Sequence, residues 1–73
     1  MYAYYEEGVM EFELPADVSF MQLSIVDNMG AVIHTDTITP ENPATEVYLS
    51  AGVYTIICTT DANTTFEGTL SIS

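Results

Sequence analysis

Three kinds of side chain in this 73-residue chain could do chemistry: a single His, a single Cys, and eleven Asp and Glu residues. His34 is followed by Thr35 and Asp36 in a segment that predicts a β-strand. A nucleophile–base pair needs a Ser or Cys beside the His, and the strand of Cys58 is not the predicted neighbour of this strand. We therefore predict an edge-strand or solvated His34, an inert core thiol at Cys58, and a protein that is not an enzyme.

The carboxylates are the second candidate for chemistry. Glu11 and Glu13 alternate on the outer face of one predicted strand, and Glu46 lies on the strand predicted to pair with it. Three carboxylates on one face suffice for weak Ca²⁺ binding, but known Ca²⁺ sites add converging backbone oxygens, and no D-x-D-x-D-G loop is present. A solvated, self-repelling face is the favoured interpretation, and no metal or cofactor site is predicted.

The charge balance excludes several partner classes. The chain has no Lys or Arg and a formal net charge of −11. Nucleic-acid affinity comes mostly from Lys and Arg, and anionic membranes attract basic segments, so neither is a predicted partner. The partner classes left open are a protein and a glycan. Weak Ca²⁺ binding also stays open, although it is disfavoured. An apolar fraction of 48% excludes a disordered acidic tail, and one Cys cannot form an internal disulfide framework.

The positions of turn residues predict an all-β fold. Helical periodicity is absent, β-branched and aromatic residues are frequent, and turn signals recur about every eight to twelve residues. The predicted strands, named A to G in chain order, are Tyr2–Glu6, Val9–Leu14, Ser19–Asp27, Ala31–Ile38, Thr45–Leu49, Val53–Thr60 and Thr64–Ile72. We predict one seven-stranded immunoglobulin-like (fibronectin type III-like) sandwich domain over residues 1–73, with sheets A-B-E and D-C-F-G.

Three connections have a predicted geometry. In the turn from Asp27 to Gly30, Asn28 and Gly30 are expected to supply positive φ values. Asn63 is expected in the left-handed position of the F–G turn. Residues 39–43, the only Pro-rich connection, are expected to carry the chain from one sheet to the other.

The segment from Leu49 to Ile56 predicts a tyrosine corner. Its spacing is a small or polar residue, Gly52, and then Tyr54 two residues later. In immunoglobulin-like sandwiches such a Tyr hydroxyl bonds back to the backbone just upstream. Gly52 and Tyr54 are therefore predicted structural residues, and Cys58 is expected to follow Tyr54 into the core.

Two sets of side chains are candidates for an interaction surface. Tyr2, Tyr4 and Tyr5 crowd strand A, and they either contact a partner or seal one edge of the core. If Tyr54 points inward, an apolar stripe is expected on the outer face of the C–F sheet. The stripe residues are Phe20, Val26, Val53 and Ile57. The alternative is that strand twist returns some of them to the core.

From about Phe20 to Ile72 the chain resembles a family of small exported proteins of gut anaerobes, a domain of unknown function with an immunoglobulin-like sandwich. The matching segments are residues 23–33 (LSIVDNMGAVI), 49–56 (LSAGVYTI) and 66–72 (FEGTLSI). The middle segment also resembles the C-terminal sorting domains of type IX secretion, whose Lys- or Arg-rich ending this chain does not have. The resemblance implies an extracellular or periplasmic location.

The predicted function is therefore a non-enzymatic, exported binding or structural module of unknown ligand. A sorting or carrier domain of a larger secreted protein is the first alternative, and a small metal-dependent enzyme is the second. No signal peptide is predicted at the start of the sequence, because residues 1–7 contain no basic residue and no apolar stretch of the needed length. From the residues alone, a cytosolic protein and a mature exported domain both remain open.

Overall fold

The computed structural model describes residues 2–73, and within them it contains seven β-strands and no helix. The strands are β1 Tyr2–Glu6, β2 Val9–Glu13, β3 Met21–Val26, β4 Val32–Ile38, β5 Ala44–Glu46, β6 Gly52–Thr60 and β7 Thr65–Ile72. They correspond in order to predicted strands A to G. Met1, which belongs to the predicted domain of residues 1–73, lies outside the described residues. No helix of residues 2–73 has the length and apolarity needed to cross a membrane.

The strands form two antiparallel sheets, one of three strands in the order β1-β2-β5 and one of four in the order β4-β3-β6-β7. The predicted all-β class and the predicted division of the strands between two sheets are confirmed. Successive side chains of a strand point to opposite faces, so each sheet contributes every second residue to the space between the sheets. Ten side chains form the buried core there: Met10, Phe12, Val18, Met21, Leu23, Ile25, Ile38, Tyr54, Ile56 and Cys58.

Several predicted strand ends differ from the observed ones. β3 begins at Met21 rather than Ser19; before it, the amide of Asp61 donates to the carbonyl of Phe20, and the Asp61 carboxylate accepts from the amide of Ser19. β5 ends at Glu46 rather than Leu49. Beyond Glu46, the hydroxyl of Tyr5 accepts the amide of Leu49 and donates to the carbonyl of Val47, so a side chain replaces a strand partner.

The turns follow the predicted positive-φ residues with one exception. Gly30 has φ 85° and Asn63 has φ 61°, as predicted, but Asn28 is not among the residues with positive φ. The Asp27 carboxylate accepts from the amides of Met29 and Ala31, at 2.9 Å each, and thereby holds the turn in a form that needs positive φ only at Gly30.

Two further connections position the sheets. Residues 39–43 carry the chain from β4 in one sheet to β5 in the other, as predicted. The β1–β2 hairpin has a two-residue turn, Glu7 and Gly8, with φ of 50° and 82°. Positive φ at both turn positions matches the twist of the paired strands, and sequence analysis did not predict it.

Candidate functional site

The corner before β6 is held by a tyrosine. The Tyr54 hydroxyl donates to the carbonyl of Ser50 over 2.8 Å. The hydroxyl oxygens of Ser50 and Tyr54 lie 3.3 Å apart. The ring is buried, and Gly52, between the two residues, has φ 153°. This hydrogen bond is that of a tyrosine corner, so Tyr54 and Gly52 have a structural role and form no part of an open site.

His34 lies on the edge strand β4, at the end of a hydrogen-bonded chain of side chains. The Thr45 hydroxyl donates to the Asp36 carboxylate over 2.7 Å, and His34 Nε2 lies 2.8 Å from the same hydroxyl oxygen. Because that hydroxyl gives its only proton to Asp36, Nε2 carries the proton that it donates to Thr45. These three hydrogen-bonded side chains link the two sheets. Because Thr45 is buried, its hydroxyl is not an accessible nucleophile.

This link between His34, Thr45 and Asp36 was not predicted from the sequence. Its signal was present in the alternation of His34, Asp36 and Ile38 along β4, which places all three on the face that carries buried Ile38. The partner Thr45 is distant in sequence and becomes a neighbour only when the two sheets pack together.

Cys58 is fully buried in the middle of β6, with Leu23 opposite it on β3 and Phe66 opposite it on β7. Burial raises the pKa of its thiol to about 11. The thiol is therefore protonated at neutral pH, and it acts as a small apolar side chain rather than a nucleophile.

The outer face of the three-stranded sheet carries aromatic rings among carboxylates. The rings of Tyr2 and Tyr4 stack with centroids 5.4 Å apart and planes 9° apart, and both side chains are more than half exposed. Tyr2 lies opposite Glu13 and Tyr4 lies opposite Glu11 in the β1–β2 ladder. Strand alternation and register place eight side chains on this tyrosine–glutamate face: Tyr2, Tyr4, Glu6, Val9, Glu11, Glu13, Ala44 and Glu46.

The environment of Tyr4 raises the pKa of its phenol. Desolvation raises its pKa above the ordinary 10.0, and the charge of Glu13 and the neighbouring Tyr2 raise it further. A shallow depression beside the ring is lined by Tyr4, Glu6, Glu7, Val9 and Glu11. Within residues 2–73 no three His, Cys, Asp or Glu side chains are arranged to hold a metal ion.

The structure separates Tyr5 from the other two N-terminal tyrosines. Tyr5 lies opposite Met10 on the inner side of β1, half-buried, and its hydroxyl is bonded to the backbone of Val47 and Leu49. Tyr48 is 80% exposed and lies beyond the end of β5. Tyr2 and Tyr4 are therefore the pair available for contact with another molecule.

The predicted apolar stripe is interrupted. Val26, Val53 and Ile57 lie on the outer face of the four-stranded sheet, while Phe20 precedes β3. Thr55 is opposite Val26, and Ser24 is opposite Ile57. Hydroxyl side chains thus stand between the predicted stripe residues. Val32 of β4 lies opposite Val26, however, and both Val32 and Ile33 are exposed, so the apolar surface of this sheet continues onto β4 rather than along the predicted stripe.

Comparison of the chain with protein-family models, curated proteins and solved structures finds no match. The surfaces that the two sheets present are therefore the features that bear on function.

Proposed function

We propose that this protein is a non-enzymatic, exported binding module with an immunoglobulin-like sandwich fold, and that the tyrosine–glutamate face binds a cationic protein. The strand orders β1-β2-β5 and β4-β3-β6-β7 and the tyrosine corner at Tyr54 support the immunoglobulin-like topology. The resemblance of residues 23–33, 49–56 and 66–72 to a family of exported proteins supports export.

The observation that carries the proposal is the exposed, stacked pair of Tyr2 and Tyr4 among four glutamates. Tyrosine is enriched at protein interfaces, because it supplies a large rigid contact area together with a polar tip. The face of an aromatic ring attracts ammonium and guanidinium groups. Rings flanked by carboxylates therefore fit Lys and Arg side chains of a partner.

The charge of the whole chain supports the same partner class. A net charge of −11 without any Lys or Arg attracts a cationic protein from a distance and repels acidic ones. A neutral glycan gains nothing from this field. The favoured partner is consequently a protein surface or segment rich in Lys and Arg.

The groups that catalysis would need have other roles, which supports a non-enzymatic function. Cys58 is buried with a raised pKa, and His34 donates to a buried threonine hydroxyl. Neither side chain lies on the tyrosine–glutamate face. A binding role uses the exposed groups that this face does present.

Titration with a synthetic peptide of alternating arginine and glycine tests the proposal. Tyr4→Ser and Glu11→Gln are each expected to weaken binding about fivefold or more, and added NaCl is expected to weaken it further. Glu41→Gln is the matched control, because it removes the same charge from the β4–β5 connection. Equal losses in Glu11→Gln and Glu41→Gln, or preferential binding of neutral oligosaccharides, would contradict the proposal.

A further inference from the structure

The four edges of the two sheets differ in their protection against pairing with another strand. β5 has only three residues, and β4 carries His34 and Asp36 on its inner side with a register shift in its ladder to β3. Short strands, inward charges and bulges are the features that natural edges use to prevent such pairing. β1 has five residues, whereas β7 has eight, no Pro and an unbroken register with β6.

The backbone of β7 offers free donors and acceptors along this edge. The amide of Thr60 donates to the carbonyl of Thr64, which makes this a hydrogen-bonded pair of the antiparallel ladder. Hydrogen-bonded and non-hydrogen-bonded pairs alternate along an antiparallel ladder. Successive residues of β7 after Thr64 therefore point their N–H and C=O groups alternately away from β6 and towards it. Four residues of β7 therefore direct N–H and C=O groups away from β6: Thr65, Glu67, Thr69 and Ser71.

A cleft lies beside this edge, between β7 and β1. Its volume is about 290 Å³, and it extends inward to the core residues Met10 and Ile56. Two of the smallest side chains of the fold, Ala3 on β1 and Gly68 on β7, line it. A Cβ added at Gly68 would meet no atom within 4 Å, so the space beside it is open. The sandwich is thus incompletely closed on the side where its longest unprotected edge lies.

We propose that β7 accepts an extended segment of another protein, which adds a strand to the four-stranded sheet and places its inward side chains in the cleft. Main-chain hydrogen bonds supply affinity in this mode of recognition, and pockets for alternate side chains supply specificity. The cleft is lined mainly by apolar groups, so the inward side chains of the segment are apolar. The outward side chains lie beside Glu67 in a strongly acidic protein, and this favours Lys or Thr there.

A second copy of the chain fits this edge less well. Two copies would bring together net charges of −11 each, with no Lys or Arg on either side. The occupant is therefore a heterologous strand of alternating apolar and basic or neutral residues. This site goes beyond the tyrosine–glutamate face, and it depends on different residues.

The test uses a synthetic octapeptide in which valine alternates with lysine and threonine, matched in length to β7. Hydrogen exchange measured by NMR is the readout. In the free protein the amides of Glu67 and Thr69 are expected to exchange rapidly, while those of Gly68 and Leu70 are protected by β6. Saturating peptide is expected to slow exchange at Glu67 and Thr69 and to leave the amides of β1 unchanged. A peptide of the same sequence, methylated on every backbone nitrogen, is expected not to bind.

Two pairs of variants locate the contacts. Thr69→Pro removes an outward N–H without removing a bond to β6 and is expected to weaken binding about tenfold, whereas Thr69→Val is expected to leave it unchanged within about twofold. Gly68→Val fills the cleft and is expected to weaken binding more than Gly68→Ala.

Three results would overturn the proposal: equal affinities of the peptide for Thr69→Pro and Thr69→Val, protection of another edge, or protection of Glu67 and Thr69 by dimerisation without peptide. If Thr69→Pro does not fold, the methylated peptide still decides the point, because tight binding of that peptide excludes strand addition. Arginine–glycine peptide titration of the tyrosine–glutamate face remains a separate measurement, so the two proposals fail independently.

Discussion

At the scale of single residues, two tyrosine hydroxyls replace missing backbone partners. Tyr54 satisfies one carbonyl, that of Ser50, at the corner before β6. Tyr5 satisfies two backbone groups, the carbonyl of Val47 and the amide of Leu49, where β5 has ended. Because a small sandwich without salt bridges from Lys or Arg depends on burial and hydrogen bonds, each such bond is a large part of its stability.

Replacement of these tyrosines by phenylalanine is expected to destabilise the fold to different degrees. Tyr54→Phe leaves one carbonyl without its side-chain partner and is expected to cost ~1 kcal/mol. Tyr5→Phe leaves an amide and a carbonyl without theirs and is expected to cost more, about 1–3 kcal/mol. Urea denaturation measures both, with Tyr48→Phe as the control, since Tyr48 is 80% exposed. Equal urea midpoints for Tyr5→Phe and Tyr48→Phe would show that the hydrogen bonds of Tyr5 do not stabilise the fold.

The buried thiol of Cys58 makes stability depend on pH in the alkaline range. Burial raises its pKa from 9.0 to about 11 in the folded state, so between these values the folded state binds more protons than the unfolded state. The stability that the protonated Cys58 thiol contributes to the fold is therefore fully present below pH 9 and is lost as the pH rises towards 11. Between pH 8 and pH 10 this should cost ~1 kcal/mol. The difference in unfolding free energy between the wild type and Cys58→Val, measured at both pH values, isolates this contribution from the tyrosines.

Thiol reactivity provides an independent check on Cys58. A disulfide reagent is expected to label it slowly in native buffer and rapidly in denaturant, because the thiolate is scarce and the sulfur is fully buried. Rapid native labelling, or a pH dependence unchanged in Cys58→Val, would show that the side chain reaches solvent in the folded protein.

At the scale of elements, the β1–β2 hairpin contains a strained residue. Glu7 adopts φ 50°, a conformation that Asn and Gly tolerate better than Glu. Glu7→Asn is consequently expected to stabilise the protein by about 0.5–1 kcal/mol, measured by thermal melting. Glu7→Gln is the control, because it removes the same charge but keeps the strain. An equal gain in Glu7→Gln would assign the effect to charge rather than to backbone conformation.

The elements themselves were largely predictable from the sequence. Alternating apolar residues and turn residues located all seven strands and both sheets, because the period of two and the positive-φ positions are local properties. The predicted ends of β3 and β5 were wrong. The residues just outside these strands are hydrogen-bonded to Asp61 and Tyr5, which are more than 40 residues away from them in sequence. The prediction of positive φ at Asn28 was wrong, because the carboxylate of its neighbour Asp27 closes the turn.

The candidate site was predictable only in part, for a related reason. The sequence places Tyr2, Tyr4 and Tyr5 on one short strand, and alternation alone separates Tyr5 from the other two. The contact of His34 with Thr45, and the cleft between β1 and β7, require two sheets to be packed together. Such contacts depend on the distance and angle between the sheets, which no local pattern encodes.

At the scale of the whole molecule, charge is distributed unevenly over the two sheets. The tyrosine–glutamate face holds four glutamates, and Glu7 lies in the adjacent turn. The outer face of the four-stranded sheet holds one carboxylate, Glu67, among mostly hydroxyl and aliphatic side chains. Mutual repulsion is therefore strongest on the three-stranded sheet, where Glu11 and Glu13 alternate along β2 with no cation between them.

Screening by salt is expected to stabilise this molecule. The folded chain holds its charges within a radius of gyration of 11.6 Å, whereas unfolding moves them apart. The Debye length falls from ~10 Å at 0.1 M to ~3 Å at 1 M, so added NaCl weakens the repulsion mainly in the folded state. A gain of about 1 kcal/mol corresponds to a melting temperature about 4–8 °C higher for a domain of this size.

Tetramethylammonium chloride should act like NaCl, because screening does not require a bound ion. Glu11→Gln combined with Glu13→Gln should reduce the gain more than Glu41→Gln, because it removes charge from the crowded face. A melting temperature that does not rise with NaCl would show that repulsion between carboxylates does not limit the stability of this fold.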